Sequence, residues 1–248
     1  MSVSTAIDSP FKAFARGYAN SYIAVGALAV LIAILLTALF APWISPQNPY
    51  DLAQLDIMDS KLAPGSKGGT GMIFWLGTDD QGRDMWSGIL HGPRISLGVG
   101  VGATLAALAI GILAGLIAAY AGGWTETLIM RVVDLQLSFP AILIALILLA
   151  ALGQGVDKIV IALITVQWAY YARTVRGAAL VEKRKEYVDA AVCLGFSSTR
   201  IVLRHILPNV LPPLIVVATV QVAHAIALEA TLSFLGLGMP ITSPSLGL

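Results

Sequence analysis

The chain has 248 residues, 57% of them hydrophobic and only 12% charged, with a formal net charge of +1. About a quarter of the residues in a soluble domain are charged, so composition excludes an ordinary soluble fold and leaves no electrostatic footprint for nucleic acid. The single cysteine, Cys193, excludes an intrachain disulfide, and no Cys/His spacing points to a structural metal.

Residues 1–21 carry Lys12 and Arg16 and precede an uncharged apolar run from Tyr22 to Ala41. Some twenty residues rising about 1.5 Å each cover roughly 30 Å, the thickness of a bilayer core. The run is long for a signal-peptide core and further spans follow, so 22–41 is predicted as an uncleaved first membrane helix.

Residues 42–95 are polar and rich in Pro and Gly, with five aspartates before Arg83, and are predicted as an extracytoplasmic loop. Near its end, Thr78 followed by Gln81 matches a capping box, and Asp79 and Asp80 suit a helix N-terminus. Met85, Trp86, Ile89 and Leu90 then supply one apolar face. The expectation is a short amphipathic helix at the outer interface, anchored by Trp86. The aspartates lack the spacing of a calcium-binding loop.

A second span is predicted from Leu97 to Tyr120, where Gly98, Gly102, Gly111 and Gly115 form two small-x-x-x-small pairs and predict close helix contact. A third runs from about Leu128 to Leu152, with Pro140 expected to kink it beside Ser138. A fourth covers Ile159 to Tyr171 and continues to Val175, and a fifth covers Pro212 to Leu235. The fifth span carries His224 and Glu229. A charge near mid-bilayer costs about 2.5–3.5 kcal/mol on insertion scales. Both residues are therefore candidates for the translocation pathway. A protonated Glu229, or one pairing with a neighbouring helix near the outer interface, satisfies the sequence equally well.

Lys12, Arg16, Arg131, Arg173, Arg176, Lys183, Arg184, Lys185, Arg200 and Arg204 fall on one side of this layout. The other side keeps Lys61, Lys67, Arg83, Arg94 and Lys158 among seven aspartates. The positive-inside rule then sets the N-terminus in the cytoplasm, 42–95 outside and 173–209 inside. Residues 96–248 read as one all-α transmembrane domain. Five spans would leave the C-terminus outside, and the loop-like stretch 243–248 reads as a truncated end with a sixth helix missing.

The cytoplasmic stretch from Glu186 to Pro208 is the most informative. Good helix formers run from Val181 to Leu194, Gly195 stops them, Ser197 or Ser198 caps a second helix, and Pro208 is expected to end it after His205. Such an element has no reaction to perform, but can present a short helix to a partner and pass rigid-body motion to the spans beside it.

This stretch resembles the EAA loop of ABC importer permeases: Asp189, Ala190, Ala191, Gly195, Leu207 and Pro208 fall on the pattern in register. Asp189 replaces the usual Glu, and His205 stands where Ile is expected. The segments Phe74–Asp84, Gly122–Trp124, Leu137–Pro140, Arg204–Asn209 and Leu232–Leu237 are similar to the dipeptide, oligopeptide and nickel importer permeases, specifically their C-type subunit. The resemblance implies an all-α, polytopic, type I ABC importer permease fold with five predicted spans and a sixth absent. It implies ATPase docking on the 186–208 loop through Glu186, Asp189, Ala190, Ala191, Gly195, Leu207 and Pro208. It also implies a second, different permease, two ATPase subunits and an extracytoplasmic solute-binding protein, for which 74–84 is a candidate contact. The setting would be a bacterial or archaeal plasma membrane.

No G-x-x-x-x-G-K-[ST] stretch occurs, so ATP and Mg²⁺ would be bound by the partner ATPases and this chain would be a non-catalytic subunit without a cofactor of its own. The alternative is an ion-gradient-driven transporter or channel, which should carry several embedded carboxylates and inverted repeats. An intramembrane enzyme fares worst, since no paired carboxylates or Ser/His pair lies in the spans.

Overall fold

Nine helices follow one another among the residues that the computed structural model describes, 10–240 and 245–247. They are α1 (Pro10–Ala19), α2 (Tyr22–Ile44), α3 (Met85–Ala121), α4 (Gly123–Leu137), α5 (Ala141–Leu152), α6 (Val156–Lys183), α7 (Glu186–Cys193), α8 (Ser198–Ile201) and α9 (Leu207–Phe234). The chain divides into two compact units, one reaching to Asn48 and including Gln54–Pro93, the other holding Pro49–Ala53 and the residues from Arg94 onward.

In the first unit, Ser21 caps α2 by accepting from the Ala24 amide, and the uncharged run that follows stays helical through Pro42 to Ile44. The polar segment after it folds on its own aspartates. Asp59 accepts from the Gly69 amide at 2.9 Å, beside a two-residue hairpin of β1 (Ser66–Lys67) and β2 (Ile73–Phe74). Asp79 closes a turn by accepting from the amides of Gln81 and Arg83 and from Arg83 Nε at 2.6 Å.

The capping box expected at Thr78 is not formed. Thr78 Oγ1 donates to the Asp59 carbonyl and accepts from the Leu62 amide, so it is spent inside the loop. The helix starts instead behind Asp84, whose carboxylate accepts from the amide and hydroxyl of Ser87. The Met85–Leu90 stretch forms no separate interfacial helix: it is the beginning of α3, which continues through Pro93 to Ala121.

In the second unit, α5, α6 and α9 bury Ala145, Leu149, Ile159, Leu163, Ala225 and Leu232 in a common core with Ala103 of α3. The glycine expectation holds for one pair. A Cβ on Gly111 would stand 2.8 Å from the Trp168 carbonyl oxygen, and one on Gly115 2.7 Å from that of Ala172, so these two let α3 lie against α6. Gly98 and Gly102 meet nothing within 4 Å; the close contact in this stretch is made by Gly100, two residues from each, against Ile226.

The predicted spans need two corrections. The third is broken, not kinked: α4 and α5 meet at 89° across Ser138–Pro140, because Pro140 cannot donate and starts α5 as its N-cap. The fifth begins far earlier than Pro212. Ser198 to Phe234 is one helical segment of 37 residues that passes Pro208, with a π-helical stretch at Val202–Ile206 just before the proline. The wider π turn relieves the hydrogen bond and ring clash that would otherwise end the helix.

By length and apolarity, three described helices can cross a membrane, or four if the bent α4–α5 pair is one span. The fourth predicted span lies in the 28-residue α6, which is long enough but is diluted by Gln167, Arg173 and Arg176. Of the loop-like stretch 243–248, residues 243, 244 and 248 lie outside the described residues, and 245–247 are not helical.

Candidate functional site

The stretch from Lys183 to Leu207 forms a short helix slung between two long ones. α6 stops at Lys183, whose ammonium donates to the carbonyls of Ala119 and Tyr120 and so caps the end of α3. Three residues later α7 begins with Glu186. It ends in a Schellman motif: Phe196 N–H donates to the Ala191 carbonyl at 3.1 Å and Gly195 N–H to that of Val192 at 2.9 Å. This motif requires a left-handed residue, and Gly195 supplies it at φ +73°. Ser197 then caps α8. The first helix thus starts at Glu186 rather than at Val181, and the turn lies where Gly195 was expected.

Periodicity decides which α7 residues face out. Val188 and Ala191 are buried with Val175, Ala179, Ile201, Ile206 and Val210, whereas Glu186, Asp189 and Ala190 are exposed. Gly195 and Pro208 are exposed as well, while Leu207 is half-buried. Of the seven residues assigned to docking, five therefore lie on solvent-facing surface and Ala191 belongs to the core. On the α8 side, the Arg200 guanidinium sits 3.9 Å over the Phe196 ring, and the His205 ring packs against the same phenyl. A histidine is compatible with the position usually held by isoleucine because it stacks here on an aromatic face.

Two residues not singled out in the sequence tie α7 to both flanking helices. The Tyr187 hydroxyl donates to Glu182 Oε2 at 2.6 Å, and Asn209 Nδ2 on α9 donates to the Tyr187 oxygen at 3.2 Å. Lys185 Nζ holds the other oxygen of Glu182 at 2.7 Å. The Lys185 contact, then the Tyr187 hydroxyl, draw the Glu182 carboxyl below its ordinary pKa. Burial, followed by the Glu182 carboxylate, pushes Tyr187 up to about 12. The only sequence signal for this pairing was a tyrosine five residues from a glutamate at a helix boundary.

The two candidates for the pathway do not come together. His224 lines a cavity of about 500 Å³ between α5, α6 and α9. Glu229 is absent from that lining and fully buried, its carboxylate accepting from Ser96 of α3, Ser233 of α9 and Ser245. One and a half turns along α9 place them on different faces, which spacing alone could have shown. α4 is held to α6 by ion pairs of Glu126 with Arg176 and of Asp134 with Arg173. Among the described residues no group of His, Cys, Asp and Glu is placed to hold a metal.

Comparison with known proteins agrees with this architecture. Residues 111–248 match the family model "Binding-protein-dependent transport system inner membrane component", and residues 9–64 match "N-terminal TM domain of oligopeptide transport permease C". The chain is 38% identical over 241 residues to the di/tripeptide transport system permease protein DppC of Pseudomonas aeruginosa, covering 96% of this chain and 78% of that protein. It is 36% identical over 241 residues to the glutathione transport system permease protein GsiD of Escherichia coli, covering 97% of this chain and 77% of the relative. The chain therefore belongs to the binding-protein-dependent transport system inner membrane component family, the permease subunits of ABC importers.

Proposed function

We propose that this permease subunit imports di- or oligopeptides delivered by an extracytoplasmic binding protein, using energy from two ATPase subunits that dock on the 186–208 loop. In this reading ATP and Mg²⁺ are bound by those ATPases, a second and different permease completes the membrane pathway, and this chain catalyses nothing. The N-terminus and the α7–α8 turn face the cytoplasm of a bacterial or archaeal cell, and residues 42–95 face outward.

The observation that carries the docking assignment is the exposed face of α7. Glu186, Asp189 and Ala190 point away from the core on a helix whose other face is buried against α6, α8 and α9. Small Ala190 permits close approach, and the two acids give the contact a charge register rather than much affinity. Motion imposed on α7 would pass to α6 and α9 through Tyr187. The peptide substrate is supported by the names of the relatives and by the match of 9–64 to a permease domain of oligopeptide transport. An ion-gradient-driven mechanism draws no support from the family match.

The test is purification of the chain from its own membranes in mild detergent, followed by identification of what comes with it. A P-loop ATPase should co-purify, and Asp189→Lys should release it while leaving the permease folded. ATPase recovery and peptide uptake that are both unchanged in that variant would overturn the docking assignment.

A further inference from the structure

The cavity between α5, α6 and α9 contains one side chain whose burial nothing in the subunit explains. Gln221 is only 6% exposed, yet its carboxamide has no hydrogen-bond partner among the described residues. The neighbouring Gln167 is different: its amide donates to the Gln221 carbonyl at 3.2 Å and its oxygen accepts from Thr104 at 3.1 Å, so both ends of its carboxamide have a partner. An unpartnered carboxamide out of bulk water costs about 1–3 kcal/mol, and the Gln221 side chain is not among the sealed, unbonded atoms of the fold. It is open to the cavity, so whatever fills the cavity, water or cargo, supplies its partner.

The rest of the lining narrows what that partner is. Tyr170 and Thr231 add hydroxyl groups and His224 an exposed ring, while Val166 and Leu228 supply apolar surface. None of the described residues lining the space is Asp, Glu, Lys or Arg. A volume of about 500 Å³ lies within the usual range for small-molecule sites. A carboxamide carries both N–H donors and a carbonyl acceptor, so it can pair with the C=O and the N–H of a peptide group. A free anion or a chelated cation would find no fixed counter-charge here.

We propose that this cavity is this subunit's wall of the translocation pathway, in which Gln221 and His224 hydrogen-bond the backbone of a passing short peptide while the neutral lining leaves its side-chain charge unread. The proposal rests on the peptide-importer reading and extends it to the residues that touch cargo. A neutral wall suits a carrier whose substrates share a backbone and differ in charge.

Uptake of Ala-Ala, Ala-Lys and Ala-Glu by the complete transporter in cells tests it, with His224→Asp and His224→Lys as the variants, since His224 is exposed and a substitution there leaves the core intact. A unit charge a few ångströms from a partly hydrated charged cargo should change the Ala-Lys to Ala-Glu uptake ratio at least ~5-fold. The ratio should rise in His224→Asp and fall in His224→Lys, and Gln221→Leu should slow all three peptides alike. An unchanged ratio in both charge variants with intact complexes overturns the proposal. Loss of the second permease from complexes purified with either variant also overturns it, since the face is then a subunit interface. Failure of the unaltered transporter to take up any of the three peptides sinks the importer reading itself, which the variants do not decide.

Discussion

Tyr187 on α7 donates to Glu182 on α6 at 2.6 Å and accepts from Asn209 on α9 at 3.2 Å, so one hydroxyl joins three helices. The buried faces of Val188 and Ala191 resist sliding of α7, but apolar contacts have no directional preference. The hydroxyl fixes the rotation of α7 relative to its neighbours. That is what a lever needs if force applied at Asp189 is to turn α6 and α9 together.

Replacing Tyr187 by Phe keeps the ring and removes the link. A hydrogen bond to a charged acceptor contributes about 1.5–3 kcal/mol, and the thermal midpoint in detergent should fall accordingly. The sharper expectation concerns coupling: ATPase subunits still co-purify, yet ATP is hydrolysed with less peptide carried per turnover. A variant that loses stability and uptake in strict proportion would reduce Tyr187 to a packing residue.

Glu182 and Tyr187 predict opposite pH limits. Lys185 and Tyr187 lower the folded pKa of Glu182 below its ordinary value of 4.5, so this stabilisation is complete above that value and disappears as pH falls through the lowered one. Tyr187 is raised from 10.0 to about 12, so its contribution is complete below 10.0 and is lost only as pH rises through about 12. Hydrogen exchange of the α7 amides should therefore accelerate below the carboxylate range in the native chain and change little in Glu182→Gln. The same variant should bring the phenol titration of Tyr187 down, since one of its causes is gone. An α7 exchange profile that is identical in acid for both proteins would argue against the pairing.

Gly111 and Gly115 should not accept a methyl group. The atoms a Cβ would meet include backbone carbonyl oxygens of α6, which cannot swing aside. Overpacking of this kind typically costs 1–3 kcal/mol, so Gly111→Ala and Gly115→Ala should each lower yield and melting temperature by about that amount. Gly98→Ala and Gly102→Ala are the controls: open space surrounds both, and alanine is favoured over glycine in a helix by about 1 kcal/mol. If these controls are harmless in the isolated chain but destabilise the assembled transporter, that face belongs to the partner permease.

The positions of the apolar runs and of the Gly195 turn were legible because each is local: a run long enough to cross a bilayer, a glycine where the chain needs positive φ. What was not legible depended on partners distant in sequence. Thr78 looked like a cap only while Asp59 and Leu62 were out of view. Pro208 looked like a stop because the rule for proline assumes an α-helix, and the π stretch before it changes the spacing of the bonds. Gly98 and Gly102 share their motif with Gly111 and Gly115, and only the path of α6 separates them. Gln221 carries no charge to mark it within an apolar run, and what sets it apart is the lack of a partner for its side chain among the described residues.

Glu229, one of the two pathway candidates, is sealed among serines. Its carboxylate accepts from Ser233 and Ser245 at 2.8 Å each and from Ser96 at 3.2 Å. The serines reach further: the Met239 amide donates to Ser233, and the Leu246 amide to Ser96. One carboxylate thus fastens α3, α9 and the chain beyond α9 through five hydrogen bonds. Glu229→Leu would leave three serine hydroxyls competing for acceptors in a closed site, and a buried donor left unsatisfied costs about 1–3 kcal/mol. Glu229→Gln keeps an oxygen acceptor and should lose only a fraction of that. We therefore expect limited proteolysis to cut after α9 in Glu229→Leu well before it does so in Glu229→Gln, with α7 equally protected in both. Equal cleavage after α9 in the two variants would mean that the segment is held by its packing against Ala230 and not by the carboxylate.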